Sequence, residues 1–403
     1  MWLQAEWWFC GWTVLAALWW LMAYVLVARS RRVPPLKRSA DSPSLSIFKP
    51  VPALGDGEVP PRLVAALESF IQQLDEHSEL LLGFEKRDQT RWEPVVDNWR
   101  RKYPQARLNV TFAPQPNHFP NPKISWEHTL APRARGKLWL WSDADIIAPA
   151  GTVAELRDEL GATNAALVTA PYVVRDVRSM PALIEALYVN MELYPGARLL
   201  QRLGSVRCAF GSCLLFAADS FRQQVVWERL GSVLAEDFTL GNSLQPVTVS
   251  SVTLESLATE TRWGHAIGRY LRWHKGVRWC RPAGYAGLLM ILPLIGWLTF
   301  AVSHPAAWSA WLGAIAVMQM EVLTAWAIFR RIGCRLKARH VFGLELWCLL
   351  RPLVWIACWF PWPVVWRPQR RMWWGLDRST ELVAADRQPP FTVDSPASRG
   401  VER

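Results

Sequence analysis

The sequence predicts an α/β domain carried on transmembrane helices. Three observations predict it. Strand-like and helix-like segments alternate between residues 44 and 112. A buried strand, Leu138–Trp141, stops abruptly at Ser142-Asp143-Ala144-Asp145. Apolar runs long enough to cross a bilayer flank that domain on both sides.

Trp7–Ala28 carries no charge and can span a hydrocarbon core of about 30 Å. Arg29-Ser30-Arg31-Arg32 follows at once. Basic flanks mark the cytoplasmic side, so residues 1–29 are expected to be a transmembrane helix with the following domain in the cytoplasm, at the inner membrane if the source is bacterial. A signal peptide would carry its charge on the other side of a shorter run. Residues 30–44, basic and rich in Pro and Ser, read as a linker.

Ser44–Phe48 reads as a strand. Pro61–Leu74 has helical spacing, with Leu63, Leu67, Phe70, Ile71 and Leu74 on one face. Glu79–Phe84 is a second strand, ending in Glu85, Lys86, Arg87 and Asp88. Trp92–Tyr103 reads as a helix and Arg107–Phe112 as a strand. This alternation implies a sheet with right-handed crossovers. Pro114–Lys123 reads as a loop leading to the central strand. Val153–Leu160 and Pro181–Tyr194 read as helices, Ala165–Thr169 as a strand, and Val247–Leu254 as one β-rich run. Trp263–Trp279 is basic with helical spacing.

Beyond Ala283 the chain turns apolar. Gly284–Ser303 and Ala306–Phe329 meet at Ser303-His304-Pro305, without Lys or Arg, and exit into five basic residues between Arg330 and Arg339, which predicts a hairpin of two spans. Val341–Trp366 holds Glu345, Arg351-Pro352, Pro361 and Pro363. Because an Arg in mid-membrane is expensive and both flanks are basic, a re-entrant or interfacial helical pair is expected. The expected organisation is therefore a catalytic-type domain over 45–262, an amphipathic interfacial helix over 263–282 and a transmembrane hairpin over 283–330. A basic loop with re-entrant helices over 331–377 and a polar tail over 378–403 complete it.

The 403 residues carry a net charge of +11, 26 Trp and 51% hydrophobic residues. Tryptophan favours membrane interfaces, so an anionic lipid surface is the expected basic-patch partner and nucleic acid is not. Seven Cys without a CxxC pair argue against a zinc site or a disulfide framework and fit a reducing compartment.

Ligands of open α/β sheets sit past the carboxyl ends of the strands. Asp143 and Asp145 leave the central strand there, and their hard oxygens suit Mn²⁺ or Mg²⁺ completed by diphosphate oxygens; the plain alternative is a polar turn. In Glu236-Asp237 a carboxylate in reach of an acceptor hydroxyl can take its proton, whereas a dipole-stabilised first turn needs no chemistry. Arg269 and Arg272 share a helical face, where guanidinium forks can hold phosphate oxygens and stabilise a departing diphosphate. Trp273 can stack on a sugar. Lys275, Arg278 and Trp279 equally fit a helix lying on anionic lipid. His265 and His274 are given no role.

The Asp-x-Asp, the Glu-Asp and the Arg-x-x-Arg-Trp, in this order and spacing, resemble the inverting GT-A glycosyltransferases, and most of all the ceramide glucosyltransferase family. The supporting stretches are Phe48-Lys49-Pro50, Leu67-Glu68-Ser69-Phe70, Asn121-Pro122-Lys123-Ile124, Ala170-Pro171-Tyr172-Val173, Ser212-Cys213 and the late Val365-Trp366-Arg367. The resemblance implies a GT-A mixed sheet and transfer of glucose from UDP-glucose to a lipid hydroxyl, ceramide first, with inversion. It implies Asp237 as base beside Arg272 and Trp273. Asp88, Lys123, Asp143, Asp145 and Arg269 would bind the donor, with Asp143 and Asp145 on the metal. Two departures stand out. The second strand ends in Glu-Lys-Arg-Asp-Gln where more acids are expected, and Tyr194-Pro195 replaces an expected His-Pro. The alternatives are a hopanoid N-acetylglucosaminyltransferase of the same layout, a processive polysaccharide synthase, which needs more spans, and a non-catalytic membrane scaffold.

Overall fold

The computed structural model describes residues 2–30, 43–55, 57–204, 206–258, 261–360, 364–365 and 371–372. Most of the linker expected at 30–44, the tail expected at 378–403, and Trp366-Arg367 lie outside the described residues.

The chain begins with α1 (Trp2–Ala28), β1 (Leu45–Pro50), α2 (Pro61–Ile71), β2 (Ser78–Glu85), α3 (Gln89–Lys102) and β3 (Arg107–Ala113). Next come α4 (Pro122–Leu130), β4 (Leu138–Ser142), β5 (Ile146–Ile147), α5 (Thr152–Ala162), β6 (Leu167–Thr169) and β7 (Tyr172–Val173). A helical stretch follows: α6 (Met180–Leu187), a π-helical segment (Tyr188–Leu193) and α7 (Tyr194–Leu203). Then come β8 (Cys213–Ala217), α8 (Ala218–Gln224), α9 (Trp227–Gly231), α10 (Glu236–Ser243), β9 (Val247–Val249), β10 (Leu254–Ser256) and α11 (Trp263–Cys280). Last are α12 (Pro282–Gly287), α13 (Pro293–Ser303), α14 (Trp308–Arg331), α15 (Ala338–Ala357), β11 (Val364–Val365) and β12 (Arg371–Met372).

The main sheet has the order β3-β2-β1-β4-β8-β6-β9. β3, β2, β1 and β4 run parallel. β8 is antiparallel to both β4 and β6, and β9 is parallel to β6. The expected mixed α/β architecture with membrane-length helices is therefore present. Its consequence for the site is positional. β8 begins where β4 ends, with Cys213 opposite Ser142, so Gly211-Ser212 is delivered to the Asp-x-Asp turn.

The alternation of β4 sorts the core. Leu138 and Leu140 pack with Leu67, Phe70, Trp92, Trp99 and Leu156, while Trp139 and Trp141 pack on the opposite face with Ile124, Leu130, Phe216 and Phe221. Each such side chain, fully buried, contributes about 1.5–3 kcal/mol.

Three local expectations change. The Pro/Asn-rich loop is shorter than expected, because α4 starts at Pro122. Asn121 caps it by accepting from the backbone N–H of Lys123 (3.0 Å) and Ile124 (3.3 Å), and Pro122 occupies the first turn, where its missing N–H costs nothing. The Asn-Pro that reads as loop is helix-start chemistry. α4 lies directly on β2, since a Cβ at Gly83 would fall 2.6 Å from the Trp126 ring. The run Val247–Leu254 divides between two sheets, because the Ser250 N–H bonds Thr169 O (2.8 Å) and the Ser251 N–H bonds Glu159 Oε1 (2.8 Å), turning the chain. Finally, the helix expected to stop at Tyr194 continues to Leu203. The π-helical segment absorbs the donor that Pro195 lacks, and Asn190 in it clamps Val174 through both its amide groups (2.9 Å each).

α1, α14 and α15 are each long and apolar enough to cross a membrane. The first limb of the expected hairpin is broken: Pro282–Ile291 and Pro293–Ser303 meet at 60°. α15 runs unbroken through Pro352; residues 361–363 and 366 of the expected helical pair lie outside the described residues. The expense of Arg351 is met by partners. Its Nη1 lies 3.3 Å from Glu321 Oε2 on α14, its Nη2 donates to Ile291 O at the broken helix (2.5 Å), and its guanidinium stacks 4.9 Å from the rings of Trp20 and Trp347. A paired Arg facing the bundle interior is tolerated where a lone one is not.

Removing one member of such a pair strands the other. Glu321→Ala is expected to cost about 3–5 kcal/mol, read as a fall in the detergent unfolding midpoint. The double variant Glu321→Leu/Arg351→Met should recover most of that loss, and failure to recover would show that the two charges are not coupled.

Candidate active site

The turn after β4 is held from below by Lys49. This residue of β1 is fully buried, and its ammonium donates to Ser142 Oγ (3.0 Å) and Asp143 O (2.6 Å) and lies 3.6 Å from the Phe70 ring centre. Burial pulls its pKa down to about 7, against the charges of Cys213, Asp143 and Asp145. Ser142 Oγ donates to Ser212 O (3.0 Å). The Asp-x-Asp backbone is thus tied to β1 on one side and to the approach to β8 on the other.

Lys123, in the first turn of α4, crosses the site. Its ammonium lies 2.6 Å from Asp143 Oδ1 and 3.2 Å from Glu236 Oε1, and it donates to Gly211 O (2.8 Å). Burial alone would lower its pKa; the charges of Asp143 and Glu236 more than offset that and hold it above the usual lysine value. One turn further along α4, Glu127 is fully buried and neither carboxyl oxygen has a partner among the described residues. Burial pushes its carboxyl well above the usual range. The Lys123 and Lys49 charges oppose that shift, while those of Asp143 and Glu236 add to it.

Asp237 stands in the first turn of α10. Its Oδ2 accepts from the Gly211 N–H (2.8 Å) and its Oδ1 from the Phe238 N–H (2.7 Å). A Cβ at Gly211 would lie 3.1 Å from Oδ2, so a side chain there would press on the Asp237 carboxylate. Burial, and then the charge of Glu236, push Asp237 up to about 7. Each oxygen keeps a lone pair free of these bonds, and the carboxylate is held in one orientation.

Asp145 is pushed up to about 6, first by burial and then by the charge of Asp143, with Arg269 and Lys49 opposing. Arg269 is near enough to oppose that shift, and it is paired with Glu185 of α6 (2.8 Å). Trp273 stacks on Tyr188, centroids 4.7 Å apart and planes at 21°. Burial raises the Tyr188 hydroxyl, with the charges of Glu192 and Asp237 adding to the effect. Arg272 is half-buried on the same helix. His274 is packed away from the site, its Nε2 3.2 Å from Glu192 Oε2.

The structure thus gathers Lys123, Asp143, Asp145, Asp237 and Arg269, and reaches Trp273 through Tyr188. Asp88 sits apart. It is buried at the end of β2, accepts from the Leu54 N–H (2.8 Å) and pairs with Arg91, where it braces the loop after β1 along the same sheet edge. Sequence reasoning missed Lys49, Glu127, Glu236 as a partner of Lys123, and Tyr188. A lysine in an otherwise apolar strand was the available signal for Lys49. Glu127 was hidden because the stretch after the expected loop was given no helix, so nothing placed it one turn beyond Lys123.

A solved structure that matches is the mannosyltransferase PcManGT from Pyrobaculum calidifontis, in complex with GDP-Man and Mn2+. It is 15% identical, with a TM-score of 0.48, over 87% of this chain and 96% of that one. None of the curated proteins matches this sequence. The family model described as glycosyl transferase family 21 matches residues 12–373, a span that takes in both the gathered carboxylates and the apolar helices. The chain therefore belongs to glycosyl transferase family 21, the family that its resemblance to ceramide glucosyltransferases implies, and it is a glycosyltransferase.

Proposed function

We propose that this glycosyltransferase moves glucose from UDP-glucose to the hydroxyl of a membrane lipid of the ceramide type, with inversion, on the cytoplasmic face. The observation that carries the reading is the linked set Asp143–Lys123–Gly211–Asp237. It brings a donor-holding acid and an oriented base to one point from segments far apart in sequence. The lipid acceptor is supported by α11, whose Tyr270 and Trp273 pack into the same core as α1, α14 and α15. Arg29 at the end of α1 and Arg330 and Arg331 at the end of α14 support the orientation.

Asp143 and Asp145 suit a divalent cation. They offer hard oxygens, and the charge of Asp143 disfavours ionisation of Asp145, a repulsion that a cation relieves. Among the described residues no group of three or more His, Cys, Asp or Glu side chains is placed to hold a metal; Mg²⁺ or Mn²⁺ here would be held by the two carboxylates and completed by substrate phosphates. Bound there, the cation would offset charge on the diphosphate. Asp237 takes the proton of the acceptor hydroxyl. The freed oxygen forms a bond to the anomeric carbon as the bond to UDP breaks on the opposite face, and UDP leaves with the electron pair. Arg269 and Arg272 would offset the charge that develops on it. Asp88 braces the loop that would cover the nucleotide, and Trp273 closes the acceptor side.

The test is sugar transfer in detergent-solubilised membranes. UDP-glucose, UDP-galactose and UDP-N-acetylglucosamine are each offered with Mn²⁺ or Mg²⁺ and with ceramide, diacylglycerol or a hopanoid polyol, and products are read by lipid mass spectrometry. Hexosylceramide that vanishes with chelator and in Asp143→Ala is expected. A hexosamine on the hopanoid would keep the chemistry and replace both substrates. Retained transfer in Asp143→Ala would remove that residue from donor binding.

A further inference from the structure

Where the end of α1 meets the catalytic domain, a cavity of about 180 Å³ opens, roughly six times the share of liquid volume taken by one water. It is lined by Arg29 and Ser30 just past α1, by Arg198, Gln201 and Arg202 of α7, and by Ser251 before β10. Three of these residues are arginines and none is an acid.

Arg198 is the floor. It is only 3% exposed. Its guanidinium donates to Gln201 Oε1 (2.8 Å), Ser250 O (2.9 Å), Ser251 O (3.0 Å), Val252 O (3.3 Å) and Thr253 Oγ1 (2.5 Å), all of them neutral acceptors. Its Nε is buried without a partner among the described residues. All direct partners of this buried charge are neutral dipoles, and its free N–H leaves room for an anion as a further partner. The acids reaching this corner, Glu155 and Glu159, are engaged by the Ser251 hydroxyl and N–H. Arg29 and Arg202 form an exposed rim. Arg331 stands beside them, donating to Ala28 O at the end of α1 (2.6 Å).

The cavity also has an apolar side. Leu26, in the last turn of α1, lines it, and Leu203, next to Arg202, is 66% exposed. Guanidiniums bind phosphate oxygens in forked pairs, and a basic cluster at the mouth of a membrane span with apolar flanks suits a phosphate attached to acyl chains. We propose that this cavity binds the phosphate group of an anionic membrane lipid, pinning the catalytic domain to the bilayer at a site separate from sugar transfer.

The experiment titrates purified full-length protein in detergent with phosphatidylglycerol, phosphatidylcholine or inorganic phosphate, and reads occupancy by native mass spectrometry. Wild type is expected to prefer phosphatidylglycerol. The variant Arg29→Gln/Arg202→Gln should bind it roughly 30-fold more weakly, from the contribution of two basic residues near an anionic surface, while Arg29→Lys/Arg202→Lys retains most of the binding. An unchanged unfolding midpoint in phosphatidylcholine would show that the Gln variant is folded. Inorganic phosphate binding that the Gln variant also loses would support the anion site and assign it a free-phosphate source. Equal phosphatidylglycerol binding by wild type and the Gln variant, or no preference over phosphatidylcholine, would overturn the proposal.

Discussion

Asp237→Asn is expected to lower kcat by about 10²–10⁴-fold, the range a positioned general base contributes, with little change in donor KM. The amide preserves the shape and one acceptor oxygen but takes no proton. The wild-type pH profile should carry the same signature. Asp237 is pushed up to about 7 by burial and by Glu236, and it acts only when ionised, so kcat/KM should rise with pH and level off above about 7. Stability moves the other way. A carboxyl with a raised pKa in the folded state holds its proton more tightly there than in the unfolded chain. The folded state is therefore favoured at low pH and loses that advantage as pH climbs through about 7. Asp237→Asn removes the penalty, so its unfolding midpoint should exceed wild type at pH 8, by less at pH 5, and match it only below about pH 4, where the unfolded carboxyl is protonated too. A variant that keeps wild-type turnover would assign the base elsewhere; an inactive variant with no gain at pH 8 would argue for misfolding.

Lys123→Ala is expected to have the second large effect, on binding and stability together. The ammonium separates Asp143 from Glu236, with Glu127 buried behind it. Without it these carboxyls face one another uncompensated. A loss of about 3 kcal/mol is expected, the low end for a broken buried pair, since Asp143 is 40% exposed. Donor KM should rise as well, because Asp143 loses its fixed position. Glu127→Gln in the same chain removes one of the crowded acids and should restore part of the stability but not the donor affinity. If the double variant recovers both, Lys123 is structural only; if it recovers neither, Glu127 is not part of the cluster.

Sequence and structure divide the work unevenly across this protein. The membrane-length helices, the buried strand running into Asp143 and Asp145, and the shared face of Arg269 and Arg272 are local. Each follows from the run length, charge or spacing of a single segment; α1, α14 and the buried strand appear in the fold where the sequence places them, while the run over Gly284–Ser303 is broken. Family membership was legible too, because the order of the motifs survives along the chain. α4 is a local feature misread: the same Asn and Pro start a loop or a helix, and the choice rests on whether Trp126 and Ile124 find a sheet to pack against.

Only the tertiary structure decided the contacts between segments. Lys123 meets Asp143 and Glu236 because β8 runs antiparallel beside β4 and delivers Gly211 to the turn. Lys49 supports that turn because β1 is the neighbour of β4. Arg351, which argued against a span when read alone, sits inside an unbroken membrane-length helix because Glu321 waits on α14. The physical reason is common to all three. Periodicity and composition report how one element meets its surroundings, whereas a charge is stabilised by whatever the topology brings within a few ångströms, and that depends on strand order and helix packing that no single stretch of the sequence encodes.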